Sequence, residues 1–459
     1  MVPILTASII FITLFSYIVS PRVRTVTGFF GGLSETGQTP SLWTIVLSQV
    51  TTWIFARSLL NAGILGYFYG LPGVLAYASY YLSFLTGAWI IDALRFRRCY
   101  ESVQNCLADH FGTAGTVCYN FVVALRLASE VFANLLVIGI LFGQAGSLGY
   151  ILSILAVAGV TLGYSMLGGL RASIRTDVFQ ATALIVVLAV LLGQTLAAQD
   201  FSLPVSLSFA TADMEAPGWS LLAVALLQVW SYPLHDPVMM DRGFLADRRT
   251  TRQSFYHACW ISLLLILAFG LLGLHAGAHR LEGEDLMATL SRIMGPSTMI
   301  LLNIALILSA VSTLDSTLSS AAKLSILGMR LAPATLFAGR AAMAIFMGLG
   351  LVLLLFGSDD LFDAVAISGT ASLFLAPVVF FCIWRDWRVR RWAYLTAFAA
   401  ATLAAVFYFL ESSGYTDLIG ALTGLNHDYS KLLLLSLLAL VTGCGAFVAG
   451  RVRKVEGNL

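Results

Sequence analysis

Apolar stretches of about 20 residues, long enough to cross a membrane as helices, recur about thirteen times along the chain. They fall near residues 3–20, 43–68, 71–94, 114–142, 147–168, 177–198, 218–234, 255–275, 296–322, 339–357, 361–384, 391–411 and 431–450. The polar segments between them are short. The longest, near 199–217, 276–295 and 412–430, cannot bury a core of their own. The pattern predicts an all-α polytopic membrane protein, one transmembrane domain over 1–459 with no separate soluble unit. The first stretch, Val2 to Ser20, has no basic leader and no clear cleavage site, so it reads as a retained span and not as a signal peptide.

Two stretches are interrupted at mid-depth. The second holds Trp53, Arg57, Ser58, Asn61 and Gly63, followed by Gly66, Gly70, Pro72 and Gly73. The seventh carries His235 and Asp236 between Pro233 and Pro237. Interrupted hydrophobic segments at corresponding places in two halves point to the binding site of a secondary transporter. These two lie five spans apart. They would open two five-helix repeats, about 43–198 and 218–384, and because five is odd the second is inverted. Helices 3–20, 391–411 and 431–450 are then peripheral. The repeat is visible only in this spacing, not residue by residue.

Charge sharpens the topology. With the N-terminus outside, alternate loops hold 21 of the 26 Lys and Arg residues, the opposite loops hold Arg280, Arg292 and Lys431, and Arg57 and Arg126 lie inside spans. The positive-inside rule then places the N-terminus outside and the C-terminus in the cytoplasm of a plasma membrane (inner membrane in a bacterium). Composition agrees: 59% of residues are hydrophobic and 11% charged, against about 25% charged in a soluble domain. The net charge of +2 is divided between the membrane faces and supports no nucleic-acid partner. The six cysteines show no paired spacing, which argues against a metal or disulfide framework.

The densest motif runs from Gly163 to Gln180: Tyr164-Ser165-Met166-Leu167-Gly168-Gly169-Leu170-Arg171-Ala172, then Thr176-Asp177-Val178-Phe179-Gln180. A helix is expected to end at the double glycine, a short basic turn to follow, and the next span to open with Asp177. An acid at the mouth of a membrane helix is a functional candidate by its cost alone. This pattern resembles the sodium/solute symporter family. Further points of likeness are the close of the second span, Gly66-Tyr67-Phe68-Tyr69-Gly70-Leu71-Pro72-Gly73, and Asp241-Arg242-Gly243-Phe244-Leu245-Ala246, where the family has Gln in place of Asp. The hydroxyl-rich run Ser309–Ser320 in the ninth span also matches. The resemblance covers spans 2 to 11. It implies a five-plus-five inverted-repeat core, a sodium ion as coupling ion, and alternating access.

Sodium is a hard cation that takes oxygen ligands, as calcium and magnesium do. Ser309, Ser312 and Thr313 stand at i, i+3 and i+4, so one helical face presents three hydroxyls. The resemblance supplies the opposing ligands, backbone carbonyls of an unwound second span at about Thr51 and Ile54. Alternatively, these hydroxyls only bond helix to helix. Asp177, carried over from the Thr-Asp-x-x-Gln motif, resembles the acid of a second cation site, which Ser312, Asp315 and Ser316 could complete. Asp315 departs from the family, which has a small or hydroxyl residue near there. Two close acids would hold a cation tightly or keep a proton, unless Asp315 pairs with Lys323 or Arg175.

For the substrate, Arg57 faces the interrupted region, and its planar fork suits a carboxylate; the alternative is pairing with a core acid such as Asp315. Arg126 contacts substrate or pairs with Glu130 one turn on. Ser58 and Tyr232 align with cavity-lining positions of the family, Tyr232 as an aromatic gate. Gln228 and Trp230 precede it, and Trp230 could equally be a lipid-facing or packing aromatic. His235 is a hydrogen-bonding residue or a titrating one. The remaining histidines, His110, His257, His275, His279 and His427, sit at span ends or in loops and show no ligand spacing.

No catalytic constellation supports an enzyme. The expected function is symport of a small organic solute, carboxylate-bearing, such as an amino acid or organic acid. A proton-coupled transporter of the same fold is the first rival. A sensor module acting through a signalling partner chain is the second, and the short tail argues against it.

Overall fold

The computed structural model describes residues 2–198, 200–356 and 368–452. Among them, nine helices are long and apolar enough to cross a membrane. Among the described residues the only strand-like pairing is an isolated bridge between Val389 and Arg451. Three of these helical stretches are too long for one crossing: Ala56–Arg97, Leu148–Leu196 and Leu286–Gly328, of 42, 49 and 43 residues. At 1.5 Å per residue the longest would extend about 74 Å, more than twice the ~30 Å hydrocarbon core. Each is two helices joined at a kink on a glycine, Gly70, Gly169 or Gly295. At Gly169 φ is 56° and an added Cβ would lie 2.4 Å from the Phe29 carbonyl oxygen, so both the backbone and the space require glycine.

The double glycine therefore does divide the fifth span from the sixth, but the basic turn expected after it is helical. Leu170, Ala172 and Ile174 face inward while Arg171 and Arg175 stay at the surface. That amphipathic spacing extends the helix back to Leu170. Asp177 consequently lies two turns inside the sixth span, fully buried, and not at its mouth.

The two interruptions fall where the sequence places them. The second span is helical over Leu42–Trp53, leaves the helix at Ile54, is extended at Phe55, and is helical again from Ala56. Carbonyls released at the break find side-chain donors, as buried backbone must. Trp53 O accepts from Ser58 Oγ (3.2 Å) and from the Tyr81 hydroxyl (2.9 Å), and Ile54 O accepts from the Ser309 hydroxyl.

The seventh span is in three pieces, Ala212–Gln228, Tyr232–His235 and Pro237–Gly243. Pro233 and Pro237 lack the N–H groups a continuous helix would need. Val229 O accepts from Thr86 Oγ1 (2.6 Å), Leu234 O from the Tyr119 hydroxyl (2.8 Å), and Asp236 Oδ1 caps the Met239 N–H (2.9 Å). This span is longer than its apolar window, so Asp241 and Arg242 belong to it and not to a loop.

The ninth span, Leu286–Lys323, runs through the middle of the molecule, and its hydroxyl-rich stretch 309–320 is buried throughout. The second span lies directly against the eighth: a Cβ on Gly273 would meet the Gly63 carbonyl oxygen at 2.2 Å. Small residues allow such close helix contacts in membranes. The expected eleventh span, 361–384, lies partly outside the described residues; within them Ser368–Ile383 is helical.

Candidate functional site

Three groups of polar side chains meet between the two interrupted spans and the ninth. The first lies against the break in the second span. Ser309 donates to the Ile54 carbonyl, which draws one carbonyl and one hydroxyl together. Thr313, one turn further along the same face, has no hydrogen-bond partner for Oγ1, and neither has Thr51. Both are buried. Buried oxygens without partners are uncommon and call for an explanation. A set offering oxygen alone suits a hard cation. Ser312, expected with them, turns instead to Asp177 Oδ1 (3.0 Å).

The second group surrounds Asp177. Ser48 Oγ donates to its Oδ2 at 2.5 Å, and the Arg242 guanidinium meets the same oxygen at 3.2 Å. Arg242 has no exposed surface; it also donates to Ser48 Oγ (3.1 Å), Ser173 Oγ (3.0 Å) and Ser316 Oγ (2.9 Å). The place where a second cation was expected, beside Asp177 and Ser316, thus already holds a positive charge belonging to the chain.

Asp315 is left apart from it. Its carboxylate accepts from Thr176 Oγ1 (2.7 Å), the Tyr164 hydroxyl (3.0 Å) and Ser316 Oγ (3.3 Å). Among the described residues no basic group lies within ion-pair distance of it. Lys323, one of its expected partners, pairs with Asp241 at 2.8 Å.

The third group lies at the breaks. Arg126 forms the expected pair with Glu130 (2.5 Å) and a further one with Asp236 (3.2 Å). Its guanidinium sits 5.1 Å above the Tyr232 ring. Arg57 is 1% exposed, and among the described residues no acid pairs with it. Its Nε and Nη1 lack hydrogen-bond partners, and its guanidinium carbon lies 5.2 Å from the centre of the Phe55 ring. The expected alternative, a pair with Asp315, is not formed. Ser58 accepts from the Tyr77 hydroxyl (3.1 Å). Trp53, Phe55, Ser58, Tyr77, Tyr80, Tyr81 and Tyr232 enclose a cavity of about 20 Å³, room for about one water. A solute enters only if these rings part.

Two residues expected at the substrate site lie differently. Gln228 is buried behind the cavity wall, accepting from Tyr80 (3.0 Å) and donating to Thr370 (3.2 Å). Trp230 turns away altogether, into an aromatic cluster with Trp89, Phe380 and Trp384. The chain unwinds between Gln228 and Tyr232, so the helical spacing that would align Trp230 with the site does not hold there. Sequence reasoning passed over Arg242, counted as a loop charge, and the tyrosines at 77, 80 and 81. Those tyrosines stand at i, i+3 and i+4 in the third span, a helical-face signal present in the sequence. Gln49, buried with both amide atoms unpartnered, carries no comparable signal.

No family model and no curated protein matches the chain by sequence. Among solved structures it is similar to a Na+-coupled sialic acid symporter in a substrate-bound outward-open state, with a TM-score of 0.71 and 13% identity over 98% of each chain. It is also similar to a nucleobase-cation-symport-1 family transporter in a closed conformation with bromovinylhydantoin bound, with a TM-score of 0.58 and 13% identity over 94% of each chain. At this identity the likeness shows the fold: an all-α, multi-pass membrane protein with the inverted-repeat core of such transporters.

Proposed function

We propose that this chain is a secondary active symporter of the sodium/solute symporter type, driving uptake of a small carboxylate-bearing solute with sodium by alternating access. The observation that carries the reading is the pairing of two unmet needs across the break in the second span. On one side, the unpartnered hydroxyls of Thr51 and Thr313 lie with the Ile54 carbonyl and the Ser309 hydroxyl that donates to it, an oxygen-only setting for Na+. On the other, the buried Arg57 guanidinium lacks an anion. Leaving such a charge unpaired inside a protein is costly, and a carboxylate on the solute removes that cost in the loaded state. Sodium and substrate then bind on opposite sides of one unwound turn, so each favours the backbone conformation the other needs.

In this reading Ser58 and Tyr232 line the solute cavity, while Arg126, held by Glu130 and Asp236, sets the shape of the seventh-span break. Gln228 supports the wall through Tyr80. The core repeats take the boundaries 43–198 and 218–384, with the N-terminus outside and the C-terminus cytoplasmic. The lysine–aspartate pair Lys323–Asp241 joins the ninth span to the seventh beside a 280 Å³ cleft lined by Tyr119, Pro237 and Met240, on the face the charge pattern makes cytoplasmic.

The test is uptake into proteoliposomes. A panel of amino acids and organic acids, each with its uncharged amide, is offered under an inward sodium gradient and again with choline replacing sodium. Sodium-dependent uptake of acids but not of their amides is expected. Equal uptake without sodium would overturn the coupling, and amides accepted as readily as acids would overturn the substrate class. Asp315, without a basic partner, favours one further reading, in which a proton on this acid is the coupling ion. Uptake driven by a pH gradient in sodium-free medium distinguishes it.

A further inference from the structure

We infer that the outer ends of the sixth and eighth spans form a binding site for a transition-metal dication of the Zn2+ class, built from Asp200, His275 and His279. This site lies outside the transport machinery proposed above and does not depend on it. The sequence offers no obvious ligand set here, yet His275 and His279 stand at i and i+4 near the end of helix Arg248–Ala278 and so share one face. Their rings lie 4.7 Å apart, centroid to centroid. Asp200, just beyond the end of the sixth span, approaches both with a different oxygen for each: Oδ1 is 3.9 Å from His275 Nε2 and Oδ2 is 3.8 Å from His279 Nε2. One ligand atom from each of the three lies within 4.8 Å of the others.

Two independent features point to a ligand. His275 is fully buried, and neither of its ring nitrogens has a hydrogen-bond partner. A distance of 3.9 Å to the carboxylate is too long to supply one. A histidine packed into a helix interface for structural reasons alone would satisfy at least one nitrogen. Second, His279 Nδ1 is 2.9 Å from the His275 carbonyl oxygen. Donation there places the proton on Nδ1 and leaves the Nε2 lone pair pointing at Asp200. Anchoring the far ring nitrogen in this way is how proteins orient metal-ligating histidines.

Two imidazoles and one carboxylate are the donor set of Zn2+ and its neighbours, not of Na+, Mg2+ or Ca2+, which prefer oxygen alone. Bonds of about 2.0–2.1 Å place tetrahedral ligand atoms roughly 3.3 Å apart. The observed 3.8 and 3.9 Å therefore close by small side-chain rotations. The fourth position remains for water, since Asp200 is exposed and His279 partly so, which also gives the ion its way in. The charge pattern puts this end of both spans outside the cell. An ion held there joins two helices of different repeats at their outer ends.

The test uses the full chain, purified in detergent with any histidine tag removed and metal stripped. Zn2+ is titrated against a chromophoric competitor, and Co2+ is followed by its visible absorption. One Zn2+ per chain is expected, with Co2+ bands of four- or five-coordinate intensity. His279→Gln and Asp200→Asn, both at accessible positions, should each weaken binding at least tenfold, and His275→Ala should do the same. Absence of stoichiometric Zn2+ binding would overturn the inference. So would binding that survives His279→Gln and Asp200→Asn unchanged, because the ion would then sit elsewhere, for example on Cys99.

Discussion

Replacing Arg242 by glutamine tests whether its guanidinium stands where a second sodium could bind. In the native chain this group meets Asp177 at 3.2 Å and donates to Ser48, Ser173 and Ser316. Glutamine keeps some of the donors but loses the charge, leaving Asp177 beside Asp315 with no basic partner near either. Removing one member of a buried ion pair costs about 3–5 kcal/mol. Sodium can restore part of that loss, because the vacated place retains a carboxylate and the hydroxyls of Ser48, Ser312 and Ser316. A site filled to about 100 times its dissociation constant returns about 2.7 kcal/mol.

The assay is thermal unfolding of the purified protein across a sodium series balanced with choline. Arg242→Gln should unfold earlier than wild type in choline and recover much of the difference in sodium. The double variant Arg242→Gln/Asp177→Asn should lose the extra sodium response. If Arg242→Gln instead follows the wild-type sodium dependence at a constant deficit, no cation replaces the guanidinium there, and Asp177 serves structure alone.

Other outcomes follow from the same geometry. Arg57→Lys retains charge but not the two-pronged donor, so it should fold normally and lose substrate affinity by more than tenfold; unaltered affinity would remove Arg57 from the solute site. Thr313→Ala deletes an otherwise unpartnered oxygen and should raise the sodium requirement of uptake on the order of tenfold, the equivalent of about 1.4 kcal/mol. Superimposable sodium titrations would exclude this oxygen as a ligand. In the loop after the eighth span, Arg292 holds the Glu284 carboxylate, which also accepts from Thr289 Oγ1 and the Leu281 N–H, and its pKa is lowered to about 2. A depressed carboxylate pKa stabilises the fold above the unfolded value and is lost as pH falls through the folded one. The difference in melting temperature between wild type and Glu284→Gln should therefore be full at pH 7 and shrink between about pH 4.5 and 2; a pH-independent difference would contradict it.

Much of the fold was legible because a bilayer restricts what a sequence can do. A segment exposed to lipid must satisfy its own backbone, so helices come in units of fixed length, and Gly70 and Gly169 mark where one ends and the next begins. The break in the second span was legible for a different reason. Neither glycine nor proline sits at Ile54 or Phe55, yet Arg57, Ser58 and Asn61 are too polar to face lipid and imply a polar interior. What could not be read was which loop charge returns to the core. Arg242 looks the same in sequence as Arg248, six residues on, which instead pairs with Asp92 at 2.5 Å. Only the proline-broken geometry of the seventh span carries Arg242 inward to Asp177. For Trp230 the packing alternative is the one observed, since helical spacing loses its meaning where the helix unwinds. His275 and His279 correct the expectation that the remaining histidines have no ligand spacing: they stand at i and i+4, but Asp200 comes from another span and completes the set only in three dimensions.

For the symport proposed here, the charges of the core bear on how many ions would travel with each solute. Around the two breaks and the ninth span, Arg57, Arg126 and Arg242 face Glu130, Asp177, Asp236 and Asp315, all buried. With every group ionised, the empty site carries one negative charge in excess, and a bound carboxylate makes it two. Charge without compensation is costly at this depth, so the loaded core favours two added positive charges. A sodium ion at the proposed site of Thr51, Ile54, Ser309 and Thr313 would supply one. The other falls to Asp315, the carboxylate with only hydroxyl partners, and a proton there needs no space. Transport of one anion with a sodium ion and a proton then moves one net charge. Asp315→Asn neutralises the acid permanently and should abolish the pH-gradient contribution to uptake while leaving sodium dependence in place. The measurement is the reversal potential of substrate flux in proteoliposomes, with the sodium and pH gradients varied separately. If wild type and Asp315→Asn reverse at the same potential under a pH gradient, Asp315 keeps its proton throughout the cycle and sodium alone drives the transport.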